Sequence, residues 1–200
     1  MGLRELKKQR TREAIAETAF GLFAKRGFDK VTVAEVAEAA GVSEKTVFNY
    51  FPTKEDLLFD EVPARQAALV EAVSGRGPGV SVPEALRRLQ LAQCARMASP
   101  GFAIFARIID ESPALRAKEL EVMADFERVL ADALEQEIGL SPLDARIAAT
   151  LLVGVQWQFF LLARERALTG KHGHAAARRL RAELERAYEL LERGLADLGR

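Results

Sequence analysis

Lys45, Thr46 and Asn49 are the residues whose types and spacing best fit a chemistry, and that chemistry is hydrogen bonding to base edges rather than bond making. At about 100° per residue, Lys45 and Asn49 share one side of a short helix, while Val47 and Phe51 share the opposite one. Thr46 and Tyr50 flank the polar side, and Phe48 lies on the other flank. Lysine can reach a guanine edge or a phosphate, asparagine can pair with adenine through two hydrogen bonds, and a threonine methyl can meet that of thymine. Tyr50 and Lys54 suit phosphate contacts, and the free N–H groups at Ser43 suit an anion. Other chemistry is sparse. Cys94 falls within a helical pattern, as a small buried hydrophobe would, rather than as an activated thiolate. His172 and His174 flank Gly173 with no cysteine nearby, which reads as a loop rather than a metal site. No glycine-rich phosphate loop, nucleophile elbow or HExxH pattern is present. The expectation is no enzyme, no cofactor and no metal.

Two helices and a turn must position the polar side. Thr32 and Glu35 have the spacing of a capping box, and Val31 and Val36 can close a hydrophobic staple over the same end. Val33, Val36, Ala37 and Ala40 supply an apolar stripe, and Gly41 suits the left-handed geometry of a sharp helix end. Ser43 caps the next helix, Glu44–Tyr50, and Pro52 disfavours helical geometry at Phe51. Two short helices around a glycine-containing turn form a helix-turn-helix, whose second helix can enter the major groove. Periodicity alone describes equally well a small helical hairpin with a solvated polar face.

The stretch AIAETAFGLFAKRGFDKVTVAEVAEAAGVSEKTVFNYFPTKEDLL resembles the DNA-binding domain of the tetracycline-repressor (TetR/AcrR) family of bacterial transcription regulators. The resemblance rests on Ala19, Phe23, Gly27-Phe28, Thr32, Val36-Ala37, Ala40-Gly41-Val42-Ser43, Thr46-Val47-Phe48, Phe51-Pro52 and Lys54-Glu55-Asp56-Leu57. Phe48 stands where the family commonly has tyrosine, and Tyr50 where it often has histidine. The resemblance implies a DNA-contacting set of Thr32, Val33, Ser43, Glu44, Lys45, Thr46, Phe48, Asn49, Tyr50 and Lys54. It also implies a homodimer in which the last two long helices of each subunit form a four-helix bundle. Two heads then face a near-palindromic operator, roughly 34 Å apart. Release by a small effector bound in the body is implied too. The alternative is a helical small-molecule sensor or interaction protein without DNA binding, since Phe48 lacks the usual hydroxyl.

Charge agrees with the placement of the DNA face. The chain of 200 residues is formally neutral. Residues 1–54 nevertheless hold ten Lys or Arg against seven Asp or Glu, a net of +3, and the remainder is −3. Arg4, Lys7, Lys8, Arg10 and Arg12 read as a basic arm for the DNA backbone or minor groove, or as a solvated terminus. One cysteine excludes an intramolecular disulfide framework. No signal peptide and no apolar run of membrane-spanning length is read, so the expected location is cytoplasmic and no membrane partner is expected.

The whole chain reads as all-α, with about nine helices. A DNA-binding head is expected over residues 1–58 and a helical ligand-binding and dimerisation domain over residues 59–200. The first helix ends at Gly27, and Thr53 opens another that should kink or end at Pro63. Ser81 boxes a helix running to about Ala98, broken by Pro100-Gly101 before a short helix from Phe102 to Glu111. Helices follow from Pro113 to Gly139, from Pro142 to about Leu168, and from about Ala175 to Leu198. The last carries Leu180, Leu184, Ala187, Leu191, Gly194 and Leu198, a heptad seam. With Ala148, Leu151, Leu152, Val155, Phe159 and Leu162 of the preceding helix, it is the expected dimer interface, although intramolecular core looks the same. The candidate effector lining is Leu89, Met97, Phe102, Phe105, Ile109, Phe126, Trp157 and Phe160, which fits a small apolar or flat molecule; each also reads as plain core.

Overall fold

A computed structural model of the chain describes residues 2–196. Those residues form ten α-helices and one 3₁₀ turn, with no strand among them. In order these are α1 Leu3–Arg26, α2 Val33–Ala39, α3 Glu44–Tyr50, the 3₁₀ turn Glu55–Leu57, α4 Val62–Ser74, α5 Val82–Leu91, α6 Cys94–Met97, α7 Pro100–Asp110, α8 Pro113–Ile138, α9 Pro142–Leu168 and α10 His174–Ala196. The chain divides into two compact units. One comprises Met1–Val62 with Arg107–Lys118, the other Pro63–Ala106 with Glu119–Arg200.

The predicted caps are formed. Thr32 Oγ1 accepts from Glu35 N at 3.2 Å while Glu35 Oε2 accepts from Thr32 N at 2.8 Å, so the box closes in both directions. Ser43, Ser81 and Ser141 each accept from the backbone N–H three residues on. Gly27 and Gly41 take φ of +83° and +67°, angles at which any other residue would be strained. In the first unit, α1 and α2 pack together and α2 packs on α3. Ile15, Ala19, Phe23, Val36, Val47, Phe51 and Leu57 fill the space between them.

Four expectations about helix boundaries change. The Thr53–Asp56 box exists, but it opens only the 3₁₀ turn. Pro63 then falls in the first turn of α4, where its missing N–H costs nothing, so it starts a helix rather than kinking one. The helix from Ser81 breaks after Leu91 and resumes at Cys94, which raises the count to ten. Ala92 and Gln93 keep right-handed angles across the break, so no glycine or proline marks it. Pro100 opens α7 at its first position instead of preceding it. The basic N-terminus is helical from Leu3 and continuous with α1. The Arg4 side chain and Leu198 lie outside the described residues.

One helix also corrects the reading that no apolar run reaches membrane-spanning length. By length and composition α9, with 27 residues and a window of mean hydropathy 1.4, is apolar enough to cross a membrane. Only 28% of that window is buried, and the rest is half-buried or exposed, with Leu143, Ile147 and Leu151 of α9 among the exposed residues.

Candidate nucleic-acid interface and effector core

In the first unit, α3 places its side chains as its periodicity predicts. Val47 and Phe51 are 1% and 0% exposed, while Lys45, Phe48 and Asn49 are exposed and Thr46 and Tyr50 half-buried. The Thr46 hydroxyl is hydrogen-bonded to Ser43 Oγ at 2.9 Å. Phe48 is 48% exposed, an apolar ring among polar neighbours. Thr32, Ser43 and Glu44 are exposed at the starts of α2 and α3, and Val33 is half-buried.

Two basic residues turn out to hold α3 rather than to reach outward. Arg12 donates from Nη1 to the carbonyl of Tyr50 at 2.8 Å and from Nη2 to that of Asp60 at 3.2 Å. Its guanidinium also lies 4.4 Å from the centre of the Phe51 ring. A cation at the C-terminal end of α3 satisfies a carbonyl that the helix leaves free and suits the negative end of its dipole. Nothing in the sequence separates Arg12 from the other basic residues of the terminus. Lys54, read as a phosphate contact, donates to Phe28 O at 2.7 Å and lies 4.0 Å from the centre of the Phe28 ring. Burial pulls its pKa below the usual lysine value. Its ammonium therefore ties the turn after α1 to the end of the helix-turn-helix, a role that its reading as a phosphate contact did not include.

Segment 107–118 completes this unit. Ser112, 1% exposed, donates to Asp29 Oδ1 at 2.8 Å, and Lys118 pairs with Asp56 at 3.2 Å. Glu35 holds α2 by its charge as well as its geometry. The Thr32 backbone N–H, the Arg26 guanidinium 2.8 Å away and the Thr32 hydroxyl lower its pKa to about 2. The folded-state value lies below the ordinary one of 4.5, so this stabilisation is full above about pH 4.5 and fades as pH falls toward 2. The stability difference between wild type and Glu35→Gln, followed from pH 7 to pH 2 by helical circular dichroism, should shrink over that window. A difference that stays constant would remove the charge from the account.

The second unit holds the aromatic candidates. Trp157 stacks on Phe160 with ring centres 5.8 Å apart, Phe102 meets Phe160 edge-on at 5.7 Å, and Phe105 stacks on Phe102 at 6.0 Å. All four are half-buried, as is Leu89, whereas Met97 is 5% exposed. Phe126 is buried on α8, with the Arg65 guanidinium 6.0 Å from its ring centre. Ile109 belongs to the first unit and is fully buried, which separates it from the aromatic group. A buried ion pair joins Glu119 of α8 to Arg164 of α9 at 2.7 Å. Burial pushes the Cys94 thiol up, away from a reactive thiolate, and pushes the Tyr188 phenol up likewise. His172 and His174 are exposed.

The heptad seam is corrected. Leu180 and Leu184, with Tyr188 one turn on, are at most 1% exposed, and α10 packs on α5, α6 and α9 of its own chain. Leu152 and Phe159 are likewise core, at 4% and 5% exposure; Val155 and Leu191 are half-buried. A heptad shows that a stripe is apolar but not whose helix covers it. The uncovered face of α9 is instead Leu143, Ile147 and Leu151, spaced four residues apart, and α10 adds Leu190, 73% exposed.

Comparison with known proteins accords with this geometry. Residues 15–60 match the family model for bacterial regulatory proteins of the tetR family. The chain is 26% identical over 147 residues to the HTH-type transcriptional regulator TcmR of Streptomyces glaucescens, covering 70% of this chain and 65% of that protein. Over 51 residues it is 51% identical to the HTH-type transcriptional regulator LuxR of Vibrio harveyi, covering 26% of this chain and 24% of that one. The matched regions thus span less than two thirds of either relative. The fold is similar to that of the transcriptional regulator FadR of Bacillus subtilis, solved in complex with stearoyl-CoA. In that comparison the TM-score is 0.55 and the identity 21%, with 90% of this chain and 96% of that one covered. The head, residues 15–60, thus matches the tetR family of bacterial regulatory proteins, and over most of its length the chain has a fold similar to that of a solved regulator.

Proposed function

We propose that the chain is a cytoplasmic, dimeric, ligand-responsive transcriptional repressor that binds a near-palindromic DNA operator and leaves it when a small lipophilic effector binds; it is not an enzyme. The observation that carries this reading is α3, with Lys45, Phe48 and Asn49 exposed while Val47 and Phe51 anchor the helix from behind. Ser43, Glu44, Thr46 and Tyr50 complete the contacts of that helix, and Thr32 and Val33 add those of α2. Lys54 acts from within the head rather than on phosphate. The exposed apolar face of α9 supports a second copy of the chain as its cover, since large uncovered apolar surface marks an association site. The half-buried aromatic group supports an apolar or flat effector.

A mobility-shift titration on the DNA flanking its own gene, at several salt concentrations, tests the reading. Wild type should bind with an affinity that falls steeply with salt. Lys45→Ala and Asn49→Ala should each weaken the preferred sequence by about 1–3 kcal/mol, roughly 5- to 150-fold, and relax base preference. Lys54→Ala should instead lower the melting temperature of the head and leave the salt slope unchanged. Equal affinity for every sequence tested, in wild type and both α3 variants, would refute operator recognition by this helix.

A further inference from the structure

The interior of the second unit contains a polar atom that the fold does not use. Gln90, on α5, is 6% exposed, and its Nε2 donates to Gln156 Oε1 at 3.4 Å. Its Oε1 is buried and has no hydrogen-bond partner. A buried carbonyl left without a donor costs about 1–3 kcal/mol, and few are kept in folded proteins without a reason. The surroundings supply one. Gln156 lies on α9 one helical turn before Phe160, so Gln156 and that ring share a face of the helix. Trp157 and Phe102 both meet Phe160, and Phe105 meets Phe102. All four rings remain half-exposed. The residue whose acceptor has no donor is therefore joined, through Gln156, to the face of α9 that carries these incompletely covered rings.

We infer that this site binds a planar aromatic molecule bearing a hydroxyl or N–H group, with the rings covering its body and Gln90 Oε1 accepting its hydrogen bond. The inference rests on the effector reading above and specifies its chemistry. An amide oxygen attracts a donor and repels another acceptor, so an aryl ether or a carboxylate at the same end leaves the cost in place. Aromatic faces favour offset-stacked or edge-on rings over aliphatic chains.

Trp157 is the only tryptophan of the chain and belongs to the ring group, so its fluorescence reports binding without a label. The probes are two matched pairs, 2-naphthol with 2-methoxynaphthalene and 4-hydroxybiphenyl with 4-methoxybiphenyl, titrated into the full chain. At least one phenol should bind about three- to tenfold more tightly than its ether, the worth of one neutral hydrogen bond. In Gln90→Met, which keeps the side chain's length and removes the acceptor, that ratio should fall to about one. The melting temperature of the unliganded variant verifies that it folds. Ethers that bind as tightly as their phenols to the wild type would overturn the donor assignment and leave the aromatic effector reading standing. If no member of either pair changes Trp157 fluorescence, both fall together.

Discussion

Ile147→Glu combined with Leu151→Glu should convert the protein from a dimer to a folded monomer of 22 kDa. Both residues lie on the uncovered face of α9, at 49% and 36% exposure, and neither fills the core of its own subunit. The substitutions therefore spare the buried core of the monomer. In a dimer they would press carboxylates into an apolar contact, and unpaired buried charge costs several kcal/mol. Sedimentation at micromolar concentration should show wild type at twice the monomer mass and the variant at the monomer mass, with equal helical signal. Operator affinity should fall by about 100-fold or more, because two linked heads bind far better than one. Leu180→Ala provides the contrast. That side chain is 1% exposed within its own subunit, so the change should cost about 2–5 kcal/mol of stability and leave the association state alone. A double glutamate variant that remains a dimer would place the interface elsewhere.

Phe51→Ala should abolish DNA binding by releasing the reading helix. The ring is fully buried, it ends α3, and the Arg12 guanidinium covers it at 4.4 Å. Removing it costs about 3–5 kcal/mol, a large share of what a small helical unit possesses. Arg12 also loses the surface against which it holds the Tyr50 carbonyl, so α3 loses its anchor and its terminal cap at once. The second unit does not depend on that ring. The expected result is lost retardation of operator DNA with an unchanged near-ultraviolet signal from Trp157. Retention of wild-type affinity would show that α3 is held by something other than this pair.

The parts of the fold legible in the sequence are those decided within four residues. The Thr32–Glu35 box, the serine caps at 43, 81 and 141, and the glycine ends at 27 and 41 follow from local chemistry, and all are present. The outward set of α3 is legible for the same reason, since angle alone sorts seven residues. What failed needed a partner from far along the chain. Lys54 looks like any surface cation until Phe28, 26 residues earlier, accepts its hydrogen bond. Leu180 and Leu184 read as a dimer seam until α10 packs on α5, α6 and α9 of its own chain and both are buried. Pro63 shows the remaining kind of error: a proline in an apolar stretch announces a boundary, but composition does not say whether the helix ends or begins there.

The make-up of the first unit has a consequence for exchanging modules among such regulators. Its residues come from two stretches, up to Val62 and Arg107–Lys118, so the backbone passes from one unit to the other three times. A chimera joined after Val62 would carry the reading helices but leave behind the hydroxyl that binds Asp29 and the ammonium that binds Asp56. Transplanting DNA specificity into another body thus calls for two splices rather than one, or for a recipient that already supplies a matching serine and lysine.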